Sequence, residues 1–71
     1  MYKVGRCLLL DLLKVRGLSQ VDLAVKLGVS KQRINAIAHN RATMSYETAL
    51  NVSKLLNCTM EDLYEIEVSN E

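Results

Sequence analysis

Between Ser30 and Arg41 the chain gathers side chains that hydrogen-bond nucleobases and phosphates. An amide such as Gln32 or Asn35 both donates and accepts, and so matches the N6 and N7 edge of adenine. Lys31 and Arg33 donate to guanine O6 and N7 or to phosphate, and the methyl of Ala36 packs on a thymine methyl. Gln32 is the foremost candidate for base contact, with Lys31, Arg33, Asn35 and Ala36 after it. Gln20, Ser30, His39 and Arg41 stand at helix ends or in a loop, where side chains and free backbone N–H groups grip phosphates. Polar residues on an ordinary solvated helix have the same types. The set carries weight only if neighbouring elements hold it outward on one surface.

Those elements are legible. Ile34, Ile37 and Ala38 fall at i, i+3 and i+4, which predicts a helix over Lys31–His39 with these three facing inward and Gln32, Asn35, Ala36 and His39 roughly opposite. Ser30 is placed to cap it, and Asn40 suits a left-handed stop before the loop Arg41–Met44. Upstream, Ser19 with Asp22 three residues later opens a helix over about Gln20–Leu27, with Val21, Leu23, Ala24 and Leu27 apolar and Gly28 closing it. In Gly28-Val29-Ser30, glycine supplies positive φ and Val29 plugs the corner. Two short helices joined by such a turn form the unit that lays its second helix in a DNA groove.

Around this pair the spacing predicts a first helix over about residues 4–16, with Val4, Leu8, Leu9, Leu12 and Leu13 apolar and Gly17 as its stop. Ser45 caps a fourth helix ending near Asn57, its inward residues Ala49, Leu50, Val52 or Ser53, Leu55 and Leu56. Thr59 with Asp62 opens a short fifth helix holding Met60, Leu63 and Tyr64. The tail Glu65-Ile66-Glu67-Val68 alternates, and either extends as a strand-like arm or frays. The expected fold is all-α, a compact five-helix bundle forming one domain over residues 1–71, with its core at about 4–65 and a short tail at 66–71.

Composition narrows the function classes. Nearly half the residues, 49%, are hydrophobic, without Trp, Phe or Pro, which suits a helical core of Leu, Val, Ile and Ala. Net charge is only +1, but it is polarised. Residues 1–43 hold eight Lys or Arg against two acids, a balance of +6, and residues 44–71 hold one Lys against six acids, a balance of −5. A basic front and acidic back suit a polyanion bound on one side. Cys7 and Cys58 are 51 positions apart and form neither a zinc pattern nor a disulfide framework, so they read as two small buried thiols in a reducing cytoplasm. One His, no paired acids and no glycine-rich phosphate loop leave no catalytic constellation. The expectation is therefore no enzyme, no metal, no cofactor and no small-molecule substrate. No apolar run approaches the roughly 20 residues that span a bilayer, and cytoplasmic residence is expected.

The stretch Gly17-Leu18-Ser19-Gln20-Val21-Asp22-Leu23-Ala24, followed by Lys26-Leu27-Gly28-Val29-Ser30, resembles the helix-turn-helix of the lambda repressor and Cro-like (XRE-type) family. Met44-Ser45, Glu47-Thr48-Ala49 and Asn57–Glu65 are similar to the last two helices of small prophage regulators, and the likeness spans about residues 4–65. It implies a five-helix domain that binds operator DNA, commonly as a two-fold dimer on a palindrome, in a bacterial or phage-infected cell. It places the phosphate-gripping Gln on Gln20, base-reading positions on Lys31, Gln32, Arg33 and Ala36, and later phosphate contacts on His39 and Arg41. Three departures stand out. Leu13 and Ala38 occupy positions where many relatives bury an Arg and a Glu, an exchange that need not cost stability. Ala36 replaces a long polar reader, and Asn40 replaces a Gly.

Two functions of different class follow: a sequence-specific DNA-binding regulator, repressor or Cro-like switch, and a protein-interaction module such as an antitoxin or antirepressor that does not read DNA. A homodimer would use apolar groups near the last two helices, namely Met44, Tyr46, Met60 or the Ile66 and Val68 arm.

Overall fold

A computed structural model describes residues 1–69. The order is β1 (Tyr2–Cys7), α1 (Leu9–Arg16), α2 (Gln20–Leu27), α3 (Lys31–Ala38), α4 (Tyr46–Leu55), a single 3-10 turn (Met60–Leu63) and β2 (Tyr64–Val68). Four helices and a two-stranded sheet replace the expected all-α, five-helix bundle.

Both ends of the chain account for the difference. Residues 2–7, of which 4–7 were expected to open the first helix, run antiparallel to 64–68, with Tyr2 opposite Val68, Lys3 opposite Glu67, Val4 opposite Ile66 and Cys7 opposite Tyr64. The register slips by a bulge between Val4 and Cys7. Tyr2 and Val4 favour a pleated surface, and Gly5 disfavours a helix interior. A Cβ on Gly5 would stand 3.1 Å from that of Glu65, so glycine allows the strands this approach. Helix α1 starts only at Leu9. Of the two alternatives for the tail, the strand-like arm forms. The fifth helix shrinks to one turn because Tyr64 adopts extended backbone, φ −138° and ψ 151°, and begins β2.

The local stop and start signals hold. Gly17 and Gly28 close α1 and α2 in the left-handed region at φ 69° and 71°. Ser19 and Asp22 form a reciprocal capping box, as do Thr59 and Asp62. Ser30 and Ser45 accept from the N–H groups of Arg33 and Thr48 at 3.1 Å.

Leu9, Leu23, Ile34, Ile37, Leu56 and Leu63 form the centre of one core. In α4 the buried stripe is Ala49, Val52 and Ser53, continued by Leu56. Leu50 and Leu55 fall outside that i, i+3, i+4, i+7 row and are exposed, contrary to expectation. Leu13 and Ala38 are both buried. Cys7 is buried and Cys58 only half-buried, both free. Among the described residues no helix is long and apolar enough to cross a membrane.

Candidate nucleic-acid interface

The orientation of α3 is set by what it buries. Ile34, Ile37 and Ala38 are enclosed in the core. Burying an Ile contributes roughly 1.5–3 kcal/mol, whereas helix propensities differ by about 0.7 kcal/mol at most among ordinary residues. Packing therefore decides which side turns to water. That side carries Lys31, Gln32 and Arg33, all exposed, with Asn35 and Ala36 half-buried one turn on.

The turn before α3 is rigid for identifiable reasons. Gly28 bends the chain, the N–H of Val29 donates to the Ala24 carbonyl at 3.1 Å, and the Val29 side chain packs against the core. After α3, His39 is its C-cap rather than its last turn, and Asn40 takes the left-handed conformation at φ 63°. The N–H of Arg41 then donates to the Ala36 carbonyl at 2.8 Å, folding the loop back beside the helix.

Three side chains link the two helices and this loop. Asn35 Nδ2 donates to Gln20 Oε1 at 3.2 Å, and Arg41 Nη2 donates to Asn35 Oδ1. His39 Nδ1 lies 2.9 Å from the Asn35 carbonyl oxygen. A carbonyl only accepts, so Nδ1 carries the proton and donates. An open notch of about 350 Å³, lined by Lys31, Gln32, Asn35 and Arg41, sits over this network. Among the described residues the sole ion pair is Arg6–Glu65 at 3.5 Å, so Lys31, Arg33 and Arg41 have no carboxylate partner there. Unpaired cations on one surface make a field suited to a polyanion.

The sequence pattern of the helix-turn-helix family matches residues 9–63. The chain belongs to the helix-turn-helix family. An SPbeta prophage-derived uncharacterized HTH-type transcriptional regulator, YopS of Bacillus subtilis, is 32% identical over 69 residues, covering 93% of this chain and 90% of its own length. An uncharacterized HTH-type transcriptional regulator of Methanocaldococcus jannaschii is 38% identical over 50 residues, covering 70% of this chain and 76% of its own. The resemblance seen in the sequence is thus borne out at family level, and one relative is of prophage origin.

In helix-turn-helix terms, α2 and α3 are the paired helices, and some of the expected site residues lie together. Gln20, Gln32, Asn35 and Arg41 are brought together by the network and the notch. Ser30 and His39 mark the two ends of α3 and are exposed. Asn35 differs from the expectation of a freely presented amide, since it is half-buried and engaged at both polar ends.

Two supporting contacts escaped sequence reasoning. Asn40 Oδ1 accepts the Cys7 backbone N–H at 2.8 Å, joining the sheet to the end of α3. Arg16 Nε donates to the Leu56 carbonyl at 2.7 Å, and its Nη2 lies 3.5 Å from the Asn57 carbonyl. This closes α4 where the dipole favours a cation. A basic residue before the Gly17 stop was the available signal for Arg16, but nothing local names a partner 40 residues away.

Proposed function

We propose that this chain is a sequence-specific DNA-binding transcriptional regulator, a repressor or Cro-like switch that occludes its operator in the cytoplasm of a bacterial or phage-infected cell. Helix α3 enters the major groove. Lys31, Gln32 and Arg33 read base edges, and Ala36 packs on a thymine methyl. Gln20, Ser30, His39 and Arg41 take phosphates. Asn35 acts through Gln20 and Arg41, holding one from each side. Two copies bind a palindrome, with their α3 helices about one DNA turn apart. The observation that carries this reading is the amide and cationic surface of α3, free of carboxylate partners among the described residues and locked outward by Ile34 and Ile37. That surface has no aromatic or aliphatic anchor of the kind a protein partner requires, which weighs against an antitoxin or antirepressor that leaves DNA alone.

Titration of the protein into labelled duplex at rising salt tests it. Each phosphate neutralised by a cation releases counterions from the duplex, so Arg41 predicts a slope of log affinity on log salt of about −1 per copy, steeper where Lys31 or Arg33 also meets a phosphate. Absent or salt-independent binding at low salt defeats the reading. Sequencing of genomic fragments retained by the protein then shows whether a palindrome is selected.

A further inference from the structure

The bonds among Gln20, Asn35 and Arg41 have a direction that their chemistry imposes. A guanidinium has N–H donors and no acceptor. The atom of Asn35 that meets Arg41 Nη2 is therefore the amide oxygen, Oδ1. That leaves Nδ2, which only donates, facing Gln20, so the atom receiving it at 3.2 Å is Oε1. The Gln20 Nε2 group is then the one turned away from the pair. Among the described residues neither side chain makes another hydrogen bond that would set its orientation. Turning Asn35 over would set N–H against N–H at Arg41 and oxygen against oxygen at Gln20, a part-buried mismatch disfavoured by roughly ten to one or more. Without the cation, the two amides would close equally well in either sense.

We infer that Arg41 is a positioning residue for Gln20. Through Asn35 it holds the Gln20 carboxamide with its oxygen inward and its nitrogen outward, so that position 20 offers a ligand a donor and no acceptor. The use of that donor on phosphate rests on the proposed DNA binding, whereas its orientation does not. A phosphate oxygen only accepts, while the edge of adenine presents a donor and an acceptor together. A fixed donor suits the first and mismatches half of the second. In the notch beside it Lys31 and Arg41 also only donate. Gln32, exposed on the same surface, is not tied by this network and turns its amide to suit a base. Amide polarity therefore separates the two glutamines: Gln20 is fixed for an anion, and Gln32 stays free to read.

Side-chain hydrogen exchange of the full chain, followed by NMR without DNA, reads the polarity. With Gln32 as the free reference, the Asn35 amide protons should exchange several-fold more slowly and those of Gln20 at the free rate. Arg41→Lys keeps a donor and should keep that order, whereas Arg41→Leu should bring the Asn35 and Gln20 rates together. Arg41 is exposed, and circular dichroism checks that each variant folds. Affinity for random duplex then tests the consequence. Gln20→Ala should weaken binding about tenfold in the wild type and only about twofold beside Arg41→Leu, and the two losses should add once Asn35→Leu has cut the relay. Slower exchange at Gln20 than at Asn35, or an order indifferent to Arg41→Leu, overturns the inference. So do additive losses from Gln20→Ala and Arg41→Leu with Asn35 intact. A chain with the expected exchange order but without affinity for DNA would keep the relay and sink the DNA reading, so the two fail separately.

Discussion

The side-chain oxygen of Asn40 accepts the backbone N–H of Cys7 at 2.8 Å, so the residue that ends α3 also anchors β1. Asn40 does two jobs at one position. It tolerates φ 63°, and its side chain satisfies the backbone N–H of a buried residue.

Substitution separates those jobs. Asn40→Gly keeps the backbone conformation and loses the bond, and should cost about 1–3 kcal/mol of stability through the unsatisfied Cys7 N–H. Asn40→Ala adds a left-handed alanine, roughly 1 kcal/mol more. Urea unfolding of the two variants measures the order, and an equal loss in both would show that the backbone conformation carries no strain for alanine.

Base and phosphate contacts are separable in the same way. Gln32→Ala should lose roughly 1–3 kcal/mol of preference for the selected operator, with affinity for random duplex nearly unchanged. Arg41→Ala should weaken both alike and flatten the salt dependence by about one unit. Competition binding reads both quantities, and an unaltered operator preference in Gln32→Ala would show that the residue is not a reader.

Asn35 lies between the two cases. With its amide shared between Gln20 and Arg41, Asn35→Ala should lower operator and random-duplex affinity together by several-fold, the worth of a net hydrogen bond. It should also be non-additive with Arg41→Ala. A selective loss of operator preference would instead make Asn35 a base reader.

Acid sensitivity should come partly from two capping boxes. Asp22 accepts the Ser19 N–H and Asp62 the Thr59 N–H, both at 2.9 Å. These backbone bonds, helped by the Ser19 and Thr59 side chains, hold both carboxyls below the usual carboxylate range. A folded value below the unfolded one means that the stabilisation is present above about pH 4 and is lost as pH falls through the lowered folded values. Thermal melts of an Asp22→Asn, Asp62→Asn double variant should be lower than wild type at neutral pH and fall less steeply below about pH 4.

Much of this molecule is written in short-range pattern. Ser19 with Asp22, Ser30 with Arg33, and the stops at Gly17, Gly28 and Asn40 are satisfied within three or four residues. Helical hydrogen bonds are equally local, so the α2–turn–α3 unit, its inward isoleucines and the outward placement of Lys31, Gln32 and Arg33 could all be read from residue order. The candidate interface residues on α3 were visible for the same reason: a helix anchored on one side must offer the other.

What residue order left open depended on partners far along the chain. Val4 continues the apolar spacing of Leu8 and Leu12, yet it lies in a strand because Ile66 pairs with it across the fold. Asn35 has the composition of a reader, and only the approach of Gln20 and Arg41 makes it a bracket between them. Met44 and Met60, equally eligible for a partner's surface, pack against the core, while Tyr2 and Val4 remain uncovered. A strand has no internal hydrogen bonds and an amide has no fixed partner, so both stay undecided until the chain closes on itself. The residues alone therefore determined the helices and the surface they present. Tertiary closure decided the sheet and the network behind that surface.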